Sequence, residues 1–137
     1  MTKQDLTMTL QVEQTPQEVY NAINKVGDWW TKIEGSSQKL DDAFTVRFGK
    51  VYITSQLVEL VPGQKVSWTV TDSNVEEWIN TQIKFDISAK DSTTAINFKH
   101  VGMHPGLNDY QGCVKGWNRF LNDSLVKLIA EGKGLPY

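Results

Sequence analysis

Cysteine is almost missing from this chain, with only Cys113 among its 137 residues. A lone thiol cannot close an intramolecular disulfide, and redox or zinc motifs that need two cysteines are excluded. Long apolar runs are absent as well, which excludes a spanning helix. The polar start, Met1 to Leu6, lacks the apolar stretch of a secretory signal, so the expected location is cytoplasmic, without membrane insertion. Neither sign of charge dominates: fourteen basic against sixteen acidic residues give −2. Lys and Arg are scattered rather than gathered into a stripe, so a nucleic-acid partner is not expected. Enzyme signatures are missing too, with no G-x-S-x-G elbow, phosphate-cradling glycine loop, H-E-x-x-H helix or dinucleotide fingerprint. No cofactor is called for.

What remains is an ordinary globular balance, 39% apolar and 22% charged, enriched in tryptophan with five copies. The length fits one domain, 1–137, able to bury a core without staples. Leu6, Met8, Leu10 and Val12 alternate with polar residues, the period of a half-buried strand. Thr15-Pro16-Gln17-Glu18 sets an N-cap, a first-turn proline and an acid three residues after the cap, which starts a helix burying Val19, Ala22, Ile23 and Val26. Gly27-Asp28 breaks it and leads to Trp29-Trp30, and Gly35-Ser36-Ser37 reads as loop. In regular structure adjacent tryptophans face apart. Either one caps the core while the other anchors the surface, or both line a pocket mouth.

Strand signals then recur between turns. Phe44, Val46 and Phe48 alternate before Gly49-Lys50, and Val51 to Leu60 is a long β-prone stretch ending at Val61-Pro62-Gly63-Gln64. Val66, Trp68 and Val70 precede a turn around Asp72-Ser73-Asn74, and Thr81 to Ile87 and Ala95 to Phe98 flank Lys90-Asp91-Ser92. After His104-Pro105-Gly106 the period changes. Asn108 and Gln111 suit a capping box, and Tyr110, Val114, Trp117, Leu121, Leu125 and Leu128 mark a helix ending near Glu131, before Gly132, Gly134 and Pro136.

The connections are too short for parallel crossovers, so the expected fold is α+β. A six-stranded curved antiparallel sheet wraps around the long C-terminal helix, with short helices between strands 1 and 2. That helix, roughly 24 residues and about 36 Å long, is the one element able to cross the apolar face of the sheet. Gly112 and Gly116 share one of its faces at a cost of about 1 kcal/mol each relative to alanine. They leave room either for a neighbouring loop or for a ligand.

Thr15-Pro16-Gln17-Glu18-Val19-Tyr20, the tryptophan pair, the meander and Gly116-Trp117 in the final helix together resemble the SRPBCC (START-like) superfamily over essentially the whole chain. The branch most similar is that of the activator of heat-shock-protein-90 ATPase homologue family. The resemblance implies a helix-grip fold with an internal pocket for lipids, polyketides or other apolar molecules, and for this branch a link to stress response. It implies no single reaction.

The expected ligand-binding residues are Trp29, Trp30, Phe44, Phe48, Trp68, Phe85, Phe98, Trp117 and Phe120, together with His100, which shares a strand face with Ile96 and Phe98. The partner they imply is a hydrophobic small molecule, bound by a monomer or homodimer. A cyclase or hydratase in which His100 and Tyr52 move protons is the alternative, with a hydrogen-bonded structural histidine as its plainer counterpart. A third reading is a protein-interaction module contacting its partner through exposed tryptophans. No catalytic or metal-ligating set is assigned, since His100, His104 and Asp109 would have to converge within roughly 2 Å of one ion. Glu76 and Glu77 read as solvated surface, and nothing in the sequence near Cys113 argues for an activated thiolate.

Overall fold

A computed structural model describes residues 5–108 and 110–137; positions 1–4 of the polar start and Asp109 fall outside them. β1 (Leu6–Val12) is the half-buried strand that its alternation predicts. In α1 (Pro16–Ile23) the Glu18 backbone N–H donates to Thr15 Oγ1 at 3.2 Å, and Val19, Ala22 and Ile23 are buried. The helix breaks at Asn24-Lys25 rather than at Gly27-Asp28, which instead belong to a one-turn helix, α2 (Val26–Trp29).

Among the described residues the sheet has seven strands, not six: β1, β2 (Ile33–Gly35), β3 (Ala43–Phe48), β4 (Val51–Val61), β5 (Lys65–Ser73), β6 (Gln82–Lys90) and β7 (Thr93–Val101). The extra strand, β2, pairs with β3 through Ile33 and Val46. Three residues are too few to print an alternation, so the sequence reads there as loop. The order is β1-β7-β6-β5-β4-β3-β2, an antiparallel meander onto whose last strand β1 folds back, with Leu6 opposite His100 and Leu10 opposite Ile96. Register shifts between β4 and β5, at Thr54/Ser55 and Leu57/Glu59, are the irregularities that bend a sheet. The turn expected around Asp72-Ser73-Asn74 starts later, because β5 runs through Ser73 and a 3-10 turn, Glu76–Trp78, follows.

The C-terminal helix is α3 (Tyr110–Asn118), a π-helical stretch (Arg119–Leu125) and α4 (Val126–Glu131). α3 starts at Tyr110, two residues after the Asn108 expected as its cap. The wide π turns, marked by the Val126 N–H bonding to Leu121 C=O five residues back, bring Phe120, Leu121, Ser124 and Leu125 all inward. Gly132 ends the helix at φ 80, a left-handed conformation suited to glycine. This helix and α1 cover the concave sheet face, and Ile23, Leu57, Trp68, Phe85, Ile96 and Leu121 are buried between them. Among the described residues no helix is long and apolar enough to cross a membrane.

Candidate functional site: an apolar cavity beside the C-terminal helix

A cavity of about 240 Å³ lies between α3, the 3-10 turn and the β3–β4 hairpin. Its base is buried and consists of Trp30, Ile53, Trp78, Cys113, Trp117 and Phe120; Phe48, Val51, Val75, Gly112 and Gly116 form a more exposed rim. Strand alternation puts Val51 and Ile53 on the cavity side of β4 and Tyr52 on the other. The two glycines stand one helical turn apart, and a Cβ added at Gly116 would meet no atom within 4 Å beyond its chain neighbours and its own helix backbone. Room, rather than close approach, is what Gly116 provides.

All five tryptophans belong to one aromatic cluster with Trp30 at its hub. Its ring centroid lies 5.0 Å from that of Trp117, 5.6 Å from Phe48, 5.9 Å from Trp68, 6.0 Å from Trp29 and 6.5 Å from Trp78. Trp29 and Trp30 stack at 12° and are both buried, so neither anchors the surface. They escape the face-apart rule because Trp30 is the C-cap of α2, where the backbone leaves the helix. Trp29 lies fully inside and donates its indole N–H to the Ile23 carbonyl at 3.0 Å.

Of the ten residues expected at the ligand, Trp30, Phe48, Trp117 and Phe120 line the cavity. Trp29, Phe44, Trp68, Phe85, Phe98 and His100 lie in the close-packed core away from its wall. Alternation identifies which residues face the helix, but not how deep each sits. His100 is fully buried, its Nδ1 accepting from Trp117 Nε1 at 3.1 Å and its Nε2 bonded to Thr81 Oγ1 at 2.9 Å. Tyr52 instead donates its hydroxyl to Asp72 at 3.2 Å on the outer face, where burial and the Asp72 carboxylate push its phenol up. The Arg47–Glu34 pair bridges β3 and β2 at 2.5 Å, its hydrogen bond holding Glu34 below the usual carboxylate range. Among the described residues, no carboxylate, ammonium or guanidinium lines the cavity.

Val51, Ile53, Val75, Trp78 and Cys113 are wall residues not picked out as ligand contacts from sequence. The alternation of β4 signals the first two. Val75 and Trp78 reach the site through the irregular 73–80 segment, which has no period to read. Glu77, read as solvated surface, is half-buried and accepts the Asn108 backbone N–H at 3.0 Å, which links the 3-10 turn to the loop before α3.

Comparison with solved structures gives the same fold. The Aha1 dimer from Colwellia psychrerythraea superposes with a TM-score of 0.82 at 23% identity, over 95% of this chain and 98% of that one. DynU16, a protein of the dynemicin biosynthetic locus, gives 0.71 at 15% identity over 94% of this chain, which spans only 48% of its length. CalU16 from Micromonospora echinospora gives 0.67 at 10% identity, over 91% and 74% of the two chains. No curated protein matches the sequence. The model of the Activator of Hsp90 ATPase homolog 1-like protein family matches residues 13–130, and the chain belongs to that family.

Proposed function

We propose that this protein binds a hydrophobic small molecule in the cavity beside α3. The observation that carries the proposal is the cavity itself: about 240 Å³ with aromatic and aliphatic walls, left open at Gly116 where even a methyl group would touch nothing. Close-packed interiors seldom leave such space, and glycine in a helix interior costs about 1 kcal/mol relative to alanine. Ligand sites are concave and mostly apolar. DynU16, from a biosynthetic locus, shares the fold, which is consistent with small-molecule work. The cyclase or hydratase alternative draws less support, because His100 spends both ring nitrogens inside the core and Tyr52 faces away. An interaction role through exposed tryptophans has no such patch to use, since all five are buried.

Native mass spectrometry of the freshly purified chain tests the proposal. A reproducible mass excess that is lost on denaturation, and lost in a Gly116→Leu variant that fills the cavity, is the expected result. No excess, joined to no response across fatty acids, sterols and aromatic polyketides, would overturn it. The dimeric state of the Colwellia protein favours a homodimer over a monomer here, which sedimentation reads directly.

A further inference from the structure

We infer that the cavity is sized and surfaced for an uncharged aromatic molecule of one or two fused rings, rather than for an acyl chain or a sterol. The inference rests on the reading of the cavity as a binding site. Its volume of about 240 Å³ exceeds the roughly 150 Å³ that takes up benzene. It falls short of the roughly 300–1,000 Å³ typical of drug-sized ligands.

The surface points the same way. Trp30 meets Trp117 at 34°, Phe48 meets Trp30 at 45° and Phe120 at 50°, with centroids 5.0 to 5.7 Å apart. The rings bordering the space are therefore tilted against one another rather than parallel. An entering aromatic ring finds offset or edge-to-face partners there, whereas an alkyl chain has no quadrupole and gains only from area. Beside Trp117 and Phe120 on the same helix, Gly112 and Gly116 border the cavity with backbone instead of side chains, which leaves room there for a planar molecule. Between them Cys113 adds a polarisable sulfur, which favours aromatic contacts. Among the described residues no cationic side chain lines the wall, so a fatty-acid carboxylate would lose its hydration without an ionic partner there.

Naphthalene, indole, dodecanoate and cholesterol are to be titrated into the full chain, with the Gly112, Cys113 and Gly116 backbone amides followed by ¹H–¹⁵N NMR. Saturable shifts for naphthalene or indole at affinities at least about tenfold above dodecanoate and cholesterol are expected. Gly116→Leu, or Val75→Trp from the opposite rim should the first not fold, is expected to weaken the arene by at least about tenfold. Dodecanoate or cholesterol shifting these amides as tightly as the arenes would overturn the ring inference and leave the binding proposal standing. Silence of these amides to every probe would overturn both, and arene binding unaffected by filling the cavity would overturn the ring inference.

Discussion

Trp117 donates its indole N–H to Nδ1 of His100 at 3.1 Å, joining the C-terminal helix to β7 through two buried groups. An indole nitrogen only donates, so Nδ1 carries no proton and the ring is the neutral Nε2–H tautomer, with Thr81 Oγ1 as its acceptor at 2.9 Å. Thr81 in turn donates its own hydroxyl to the Trp78 carbonyl at 2.6 Å. Both ends of this chain, Trp117 and Trp78, belong to residues in the cavity wall. His100 is a positioning residue behind that wall.

His100→Ala therefore removes an acceptor from Trp117 and a partner from Thr81, and leaves a hole. A loss of about 2–4 kcal/mol is expected in urea denaturation. ¹⁵N NMR of the wild-type imidazole is expected to report Nε2–H. A protonated Nδ1 would contradict the hydrogen-bond assignment, and a variant as stable as wild type would remove His100 from the framework.

Two glycines, Gly116 within the C-terminal helix and Gly134 beyond it, should respond to alanine in opposite directions. Gly116→Ala adds a methyl group to open space and trades a poor helix former for the best one, so a gain of up to about 1 kcal/mol is expected. A Cβ at Gly134 would stand 2.5 Å from the Asp28 carbonyl oxygen and 3.1 Å from that of Ser124, both backbone atoms unable to step aside cheaply. Gly134→Ala is expected to cost about 1–3 kcal/mol. Thermal melts of the pair check both signs.

Much of this architecture is legible in the chain because local rules and global packing agree there. Leu6 to Val12, Phe44 to Phe48 and the Thr15 cap each specify an element without tertiary help. Depth is different. Phe98 and Phe48 both belong to alternating strands, yet only Phe48 reaches the cavity, because that depends on how the bent sheet and the helix diverge. Phe120, three residues after Trp117, shares its face by helical spacing, whereas the π stretch that it lies in has no sequence period of its own. Trp78 enters from a 3-10 turn, where no alternation exists to assign a face.

The loop before β3 is expected to weaken in acid. Asp42 Oδ2 accepts from Ser36 Oγ at 2.7 Å and from the Lys39 and Gln38 N–H groups at 3.0 and 3.1 Å. These bonds, that of Ser36 first, hold its carboxyl below the ordinary value of 3.8. With the folded value depressed, the stabilisation is fully present above the unfolded value and is lost as pH falls through the folded one. The Gln38 and Lys39 amide shifts should thus stay flat above the normal aspartate range and move together below it. Asp42→Asn should abolish that movement; an unchanged titration would assign it to another group, such as Glu34.

Ser124 supports a longer-range prediction. Its hydroxyl donates to the Trp29 carbonyl at 2.5 Å and accepts the Leu135 N–H at 2.8 Å. Beyond it, the Tyr137 N–H donates to the Trp30 carbonyl at 2.8 Å, Thr31 Oγ1 donates to the Tyr137 carbonyl at 3.1 Å, and the Tyr137 ring packs 5.2 Å from Phe48. The segment after Gly132 is thereby fastened across the tryptophan pair and against the cavity rim. Ser124→Ala leaves a buried carbonyl and an amide without this partner, at an expected cost of about 1–3 kcal/mol by urea denaturation. Because the hydroxyl is the first fastening, hydrogen exchange at both Leu135 and Tyr137 should accelerate in the variant. Acceleration at Leu135 alone would mean that Trp30 and Thr31 hold the end of the segment without help, so that the rim beside Phe48 stays in place even when Ser124 lets go.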